Sequence, residues 1–233
     1  MLPKLTSVAI CPLAPLFPPE SVFESEFTMT WRDEPAPPVE LTGRLLMQSG
    51  KFRLEVVKIN GKSVGTRDFG VVWDSKAKNG FVFSDALQGY APVLQAVACT
   101  NLFTQTMAGE NEPIDGHPVS KANVTEMASD GQTMTVQSFR ARDLGDLPLK
   151  VDSLTGGPVS FVLALSKIHA ARLVEELFLP PDGFTKYESE TAMLNELADR
   201  QQDMSDQRHE RAGEAGGGDE GQPEARPRSR GSE

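Results

Sequence analysis

The stretch 112–151, EPIDGHPVSKANVTEMASDGQTMTVQSFRARDLGDLPLKV, decides the fold class. Pro113 to His117 reads as a turn, because Asp115-Gly116 supplies the positive φ that small and Asx-type residues adopt at little cost. Val119 to Met127 follows as a strand, and Ser129-Asp130-Gly131 turns the chain back. Thr133 to Arg140 returns, with Met134, Val136 and Ser138 on one face and Thr135, Gln137 and Phe139 on the other. After Gly145-Asp146, Leu147 to Val151 runs out again. Three strands joined by tight turns are an antiparallel meander.

The chain upstream has the same grammar. Val22 to Trp31 alternates Phe23, Phe27, Met29 and Trp31 with Glu24, Glu26, Thr28 and Thr30. The loop RDEPAPP ends it, since proline cannot donate to a ladder. Val39 to Gln48 is a second strand, and Ser49-Gly50-Lys51 turns into a third, Phe52 to Ile59. Asn60-Gly61 is the strongest hairpin signal in the chain. Thr66 to Trp73 makes a fourth strand, and Asn79-Gly80 turns into a fifth, Phe81 to Ser84. Ala91 to Met107 breaks the alternation, with apolar residues at 94, 97, 98 and 102, and that spacing predicts a helix with Pro92 in its first turn. Such a helix buries its stripe against the sheet and plugs its concave side. Downstream, Pro158 to Ile168 reads as a strand and Ala170 to Leu177 as the start of a helix. FLPPDGF is extended around its prolines. Ser189 to Asp199 is a short amphipathic helix with Ser189 as N-cap and Ala192, Met193 and Leu197 on one side.

Both ends differ from the middle. Residues 1–20 hold a short apolar run interrupted by Pro12, Pro15, Pro18 and Pro19, which suits either a degenerate export signal or a disordered proline-rich leader. Residues 201–233 mix both charges with Gly and Pro and predict a disordered charged tail. The folded domain is expected over 21–200. With 39% apolar residues, the 233-residue chain has enough to build one core. A net charge of −10 argues against non-specific nucleic-acid binding and gives no support for adhesion to anionic membranes. Cys11 and Cys99 are too few for a disulfide scaffold and read as independent thiols.

The sequence offers no catalytic constellation. His117, His169 and His209 stand apart, without the converging ligands that a metal site needs. No nucleophile elbow and no phosphate-binding glycine loop occurs outside the tail. The reading is therefore a non-enzyme without cofactor or metal; for an enzyme, Arg53, Glu55 and His117 would be the first acid/base candidates. What remains is an apolar inventory on consecutive strands: Phe27, Met29, Trp31, Leu45, Met47, Phe52, Leu54, Phe69, Trp73, Phe81 and Phe83. If the sheet curls, one face can line a cavity wide enough for a lipid chain. The bland alternative is that these residues are plain core.

The order of GKFRLEV (50–56), EPIDGHPVSKANV, FRARDLGDLPLKV and LFLPPDGFTKYES resembles extracytoplasmic proteins of the LolA/LolB-like superfamily, over roughly residues 21–200. The resemblance implies a mainly β (α+β) fold, a strongly curved antiparallel half-barrel whose concave side is closed by one or two helices. It also implies a periplasmic or otherwise extracytoplasmic carrier of a lipid or lipoprotein acyl chain, with no nucleic acid and at most peripheral membrane association. A structural or interaction module that keeps the fold without the cavity is the competing reading. Deleting residues 201–233 is expected to leave the melting temperature nearly unchanged, because such a tail buries little; a large drop in a thermal scan would refute it.

Overall fold

The computed structural model describes residues 16–33, 35–63, 69–94, 99–107, 111–128, 133–155, 159–200 and 202. Its strands are β1 (Val22–Asp33), β2 (Val39–Gln48), β3 (Lys51–Ile59), β4 (Lys62–Ser63), β5 (Phe69–Asp74), β6 (Asn79–Ser84), β7 (Gly89–Leu94), β8 (Cys99–Met107), β9 (Val119–Ala128), β10 (Thr133–Ala141), β11 (Leu147–Thr155), β12 (Val159–His169) and β13 (Thr185–Lys186). They form one sheet in the order β13-β7-β6-β5-β3-β2-β1-β12-β11-β10-β9-β8, with β4 attached to β3. All pairings are antiparallel except β13 with β7. Two meanders, β1 to β7 and β8 to β12, are thus sewn together where β1 meets β12. The sheet is curved and open, not closed into a barrel. That is the curved, open, mostly antiparallel sheet the resemblance implies.

The chain divides into two units, Met1–Leu194 and Asn195–Glu233. The sheet lies in the first. The helix α1, residues 190–200, runs across the boundary. Its first turns belong to the first unit, where the Ala192 amide donates to Ser189 Oγ at 3.1 Å as the N-cap reading requires. Met193 is fully buried and Ala192 is exposed. In the second unit Arg200 Nε pairs with Glu196 at 2.9 Å, one turn apart.

Strand parity follows the sequence closely. Residues 119–128 and 133–141 pair in continuous register, with Val124 opposite Val136 and Ala122 opposite Ser138. Asp115 and Gly116 both take positive φ, at 51° and 83°, between the bridged residues Ile114 and His117. The Ser129–Gly131 turn, residues 66–68 and most of the two terminal segments lie outside the described residues.

Three expectations are corrected. The helix expected over Ala91–Met107 gives way to two strands: residues up to Leu94 finish β7, those from Cys99 form β8, and residues 95–98 lie outside the described residues. β8 pairs only with β9 among the described residues, and its residues 103–107 are all exposed. An edge strand wetted on both faces loses the alternation by which strands are recognised. Ala170 to Leu177 is likewise no helix: 170–174 is irregular and Glu175–Phe178 is one 3-10 turn. Finally, Asn79-Gly80 is not a turn but the start of β6; residues 75–78 turn the chain, with Lys78 at φ 54°.

Gly80 has a different job. A Cβ there would sit 2.0 Å from the Val72 carbonyl oxygen. Gly43 is tighter still, with its notional Cβ 1.8 Å from the Glu55 carbonyl oxygen and 2.9 Å from the Phe27 ring, beside the bulge between β2 and β3. Neither neighbour can yield without breaking the ladder, so Gly43→Ala is expected to cost about 2–3 kcal/mol by overpacking. A denaturant titration checks it, and a loss under about 0.5 kcal/mol would show that the bulge relaxes freely.

Candidate functional site

Cross-strand partners share a face, so the register sorts every candidate residue. Phe23, Met47, Phe52 and Trp73 form one row. Phe27 faces Gly43, then Val56 and Phe69; Leu45 faces Leu54 and Val71. Met29 continues the same face through Leu163 on β12 to Val151, Ser138 and Ala122 on the second meander. Trp31 stacks on Phe161 with centroids 6.3 Å apart. Nine of the eleven sequence candidates, Phe27, Met29, Trp31, Leu45, Met47, Phe52, Leu54, Phe69 and Trp73, therefore lie on one face, and all are buried. Phe81 and Phe83 do not join them, because Phe81 registers with Val72 and Phe83 with Gly70 on the opposite face.

The face carrying the nine is the concave one. Phe52 and Leu54 on β3 line a single apolar cavity together with Leu163 on β12. Three strand spacings separate those strands, about 14 Å if the sheet were flat. Leu45, Met47 and Phe17 complete the lining, and the free space left is about 10 Å³. That is roughly the room for one water molecule.

What fills the space is a segment placed with the leader in the sequence. Leu16 is fully buried and Phe17 is 7% exposed. Phe17 lies 6.2 Å from Phe23, centroid to centroid, and Arg140 Nη2 on β10 donates to the Leu16 carbonyl at 2.9 Å. Burial holds the Arg140 guanidinium below its ordinary pKa, partly offset by Asp146. Two apolar residues ahead of a Pro-Pro pair carry no period, so sequence patterning had no handle on them.

Phe81 and Phe83 belong to the outer cluster with Leu46, Val72 and Phe178, against which Tyr90, Leu173, Leu177 and Phe184 pack. Residues 170–187 thus form a strap across the convex side of the first meander. Arg53 and Glu55 pin it down. Arg53 Nη1 donates to the Leu177 carbonyl at 2.8 Å, its Nε reaches Glu55 at 2.7 Å, and its guanidinium lies 4.3 Å over the Phe83 ring. Arg44 bridges Glu55 to Glu24, at 3.5 and 2.6 Å. Lys51 pairs with Glu175 on the strap. His117 is elsewhere, at the turn before β9, bonded to Asp143 at 2.8 Å; that hydrogen bond holds the Asp143 carboxyl below its usual range. The acid/base candidates Arg53 and Glu55 are therefore a clamp under the strap, and His117 ties two turns together. Among the described residues no three His, Cys, Asp or Glu side chains gather in a way that could hold a metal ion.

One concave-face residue was missed. Glu126 shares the parity of Ala122 and Val124, is 6% exposed, and its Oε1 has no hydrogen-bond partner. Desolvation pushes its pKa up to about 8. The signal was available: an acidic residue standing on the apolar parity of NVTEM.

No family model and no curated protein matches the chain. Among solved structures it is similar to a LolA superfamily protein from Nitrosomonas europaea, at 11% identity and TM-score 0.39, over 75% of this chain and 97% of that one. It is also similar to MucB, at 19% identity and TM-score 0.42, over 74% of this chain and 62% of MucB. A third similarity is to the Mycobacterium tuberculosis lipoprotein LppX, at 13% identity and TM-score 0.36, over 66% of this chain and 91% of that one. Among the described residues no helix is long and apolar enough to cross a membrane.

The Glu126 geometry predicts a pH signature. The folded carboxyl keeps its proton to about pH 8, while an unfolded one releases it near 4.5. Folding takes up a proton between those values, so stability falls as pH rises through the window. Glu126→Gln, which cannot ionise, is expected to flatten that fall by on the order of 3 kcal/mol between pH 5 and pH 8.5. Parallel urea titrations of wild type and variant with the same slope against pH would refute the assignment.

Proposed function

We propose that this protein is a non-enzymatic extracytoplasmic binding protein whose concave sheet face receives the acyl chain of a lipid or lipoprotein. The observation that carries the reading is the continuous apolar concave face. It runs without a charged side chain from Trp73 through Met47 and Phe23 on the first meander, and from Met29 through Leu163 to Val151 towards the second. The sheet around it is open, so a chain can enter from the side rather than through the end of a closed barrel. The motif order of the sequence supports the same class. The location outside the cytoplasm rests on that resemblance.

A second reading has its own observation. The cavity between β2, β3 and β12 has only about 10 Å³ free, as expected of an interaction module that retains the fold and packs its interior solid. Native mass spectrometry of the purified chain, with solvent extraction, separates the two. Stoichiometric copurifying lipid supports the carrier; a clean apo mass that stays unchanged when amphiphiles are offered supports the module.

Phe52→Glu is expected to abolish amphiphile uptake, because Phe52 lines the cavity and an unpaired carboxylate there is costly to bury. Circular dichroism identifies a variant that still folds, and unchanged uptake in such a variant would count against the carrier.

A further inference from the structure

On the first meander the concave face is apolar and yet already occupied, and the occupant has few described polar ties. Residues 16–21 pair with no strand among the described residues; β1 begins only at Val22. Pro18 and Pro19 have no N–H to give to a ladder. The described ties are the Arg140 bond to the Leu16 carbonyl, the Ser21 amide bond back to Pro18, and the Ser49 amide bond to the Ser21 carbonyl. The strap on the convex side is fastened differently. It has the Arg53 clamp, the Lys51–Glu175 pair, and backbone bonds from Thr185 and Tyr187 to Gln88 and Tyr90, both 2.8 Å. One layer is bolted on. The other rests mainly on two apolar side chains.

We propose that the acyl-chain site is the pocket now filled by Phe17, walled by Leu45, Met47, Phe52, Leu54 and Leu163, and that Leu16-Phe17 is a resident plug which cargo displaces. The proposal rests on the carrier reading above and deepens it. A phenyl ring on a methylene is chemically a short run of hydrocarbon, so acyl methylenes can take its place against the same walls with no polar group stranded. On withdrawal the plug leaves one carbonyl, that of Leu16, and one guanidinium N–H of Arg140, both of which water can satisfy. Apolar cargo must therefore outcompete Phe17, and weakly apolar molecules are kept out.

The test uses the full chain and oleate as the probe. Hydrogen–deuterium exchange is followed over peptides spanning residues 16–23, and affinity is measured calorimetrically for wild type and Phe17→Ala. Expected are faster exchange of the 16–21 amides on oleate binding and affinity about 10- to 100-fold tighter in the variant, the fold-change that relieving one buried aromatic competitor corresponds to. If Phe17→Ala does not fold, the wild-type exchange measurement decides alone. Oleate bound with unchanged exchange at these amides overturns the plug and leaves the carrier intact. Binding by neither protein overturns both.

Discussion

The shape of the sheet is set by a covalent constraint. Leu94 ends β7 and Cys99 begins β8, five peptide units apart, which reach at most about 19 Å. In the sheet those two strands are separated by ten inter-strand steps, about 48 Å if laid flat. The sheet must therefore curl until its flanks approach each other, in keeping with the right-handed twist that strands adopt. Curling makes one face concave and the other convex. Everything else follows from that inequality.

A concave face converges, so its side chains meet across strands that are not neighbours, as Leu163 meets Phe52 and Leu54 around one cavity. Little added material is needed to dry it, and Phe17, with the buried Leu16 beside it, supplies part of that material. A convex face diverges, and the outward row of Leu46, Val72, Phe81 and Phe83 would stay wet if uncovered. The chain covers it with the strap, and the long return from β12 on one side of β1 to β13 beyond β7 is the path that this requires. Burying Arg53 and Glu55 beneath the strap costs desolvation. The pairing of each with the other, and of Arg53 with a strap carbonyl, offsets that cost and specifies where the strap lies.

Much of this was legible because a strand's period of two survives in any register. Val39 to Gln48 matches β2 in full, the two strands after His117 were placed within a residue at each end, and the third begins at Leu147 as read but runs four residues past Val151. Face assignment across turns was less secure, for a reason that Phe81 and Phe83 make plain. Their parity relative to β5 depends on how many residues the turn spends, and a shift of one flips a whole strand. Reading Asn79-Gly80 as the turn hid that the chain reverses over 75–78 and that Gly80 is needed where the Val72 carbonyl comes close. The Ala91–Met107 error has another source. Of its apolar positions, 94 ends β7 and 102 lies in β8, at opposite flanks of the sheet, so a helical spacing counted across them sums over two separate strands.

Of the candidate site, the aromatic and aliphatic rows were legible and the plug was not. Residue type and alternation report that a side chain wants burial, and they are silent on what it is buried by. Leu16 and Phe17 belong to no periodic element, so their role exists only in three dimensions. That gap also reconciles a filled interior with a carrier. An open half-barrel with a bare apolar trough would expose a patch large enough to invite aggregation. A carrier that must remain soluble when empty therefore needs a stand-in for its cargo, and the stand-in must bind less well than the cargo does. A short segment without ladder hydrogen bonds, bearing one aromatic ring and one leucine, is apolar enough to keep the trough dry and held loosely enough to be displaced.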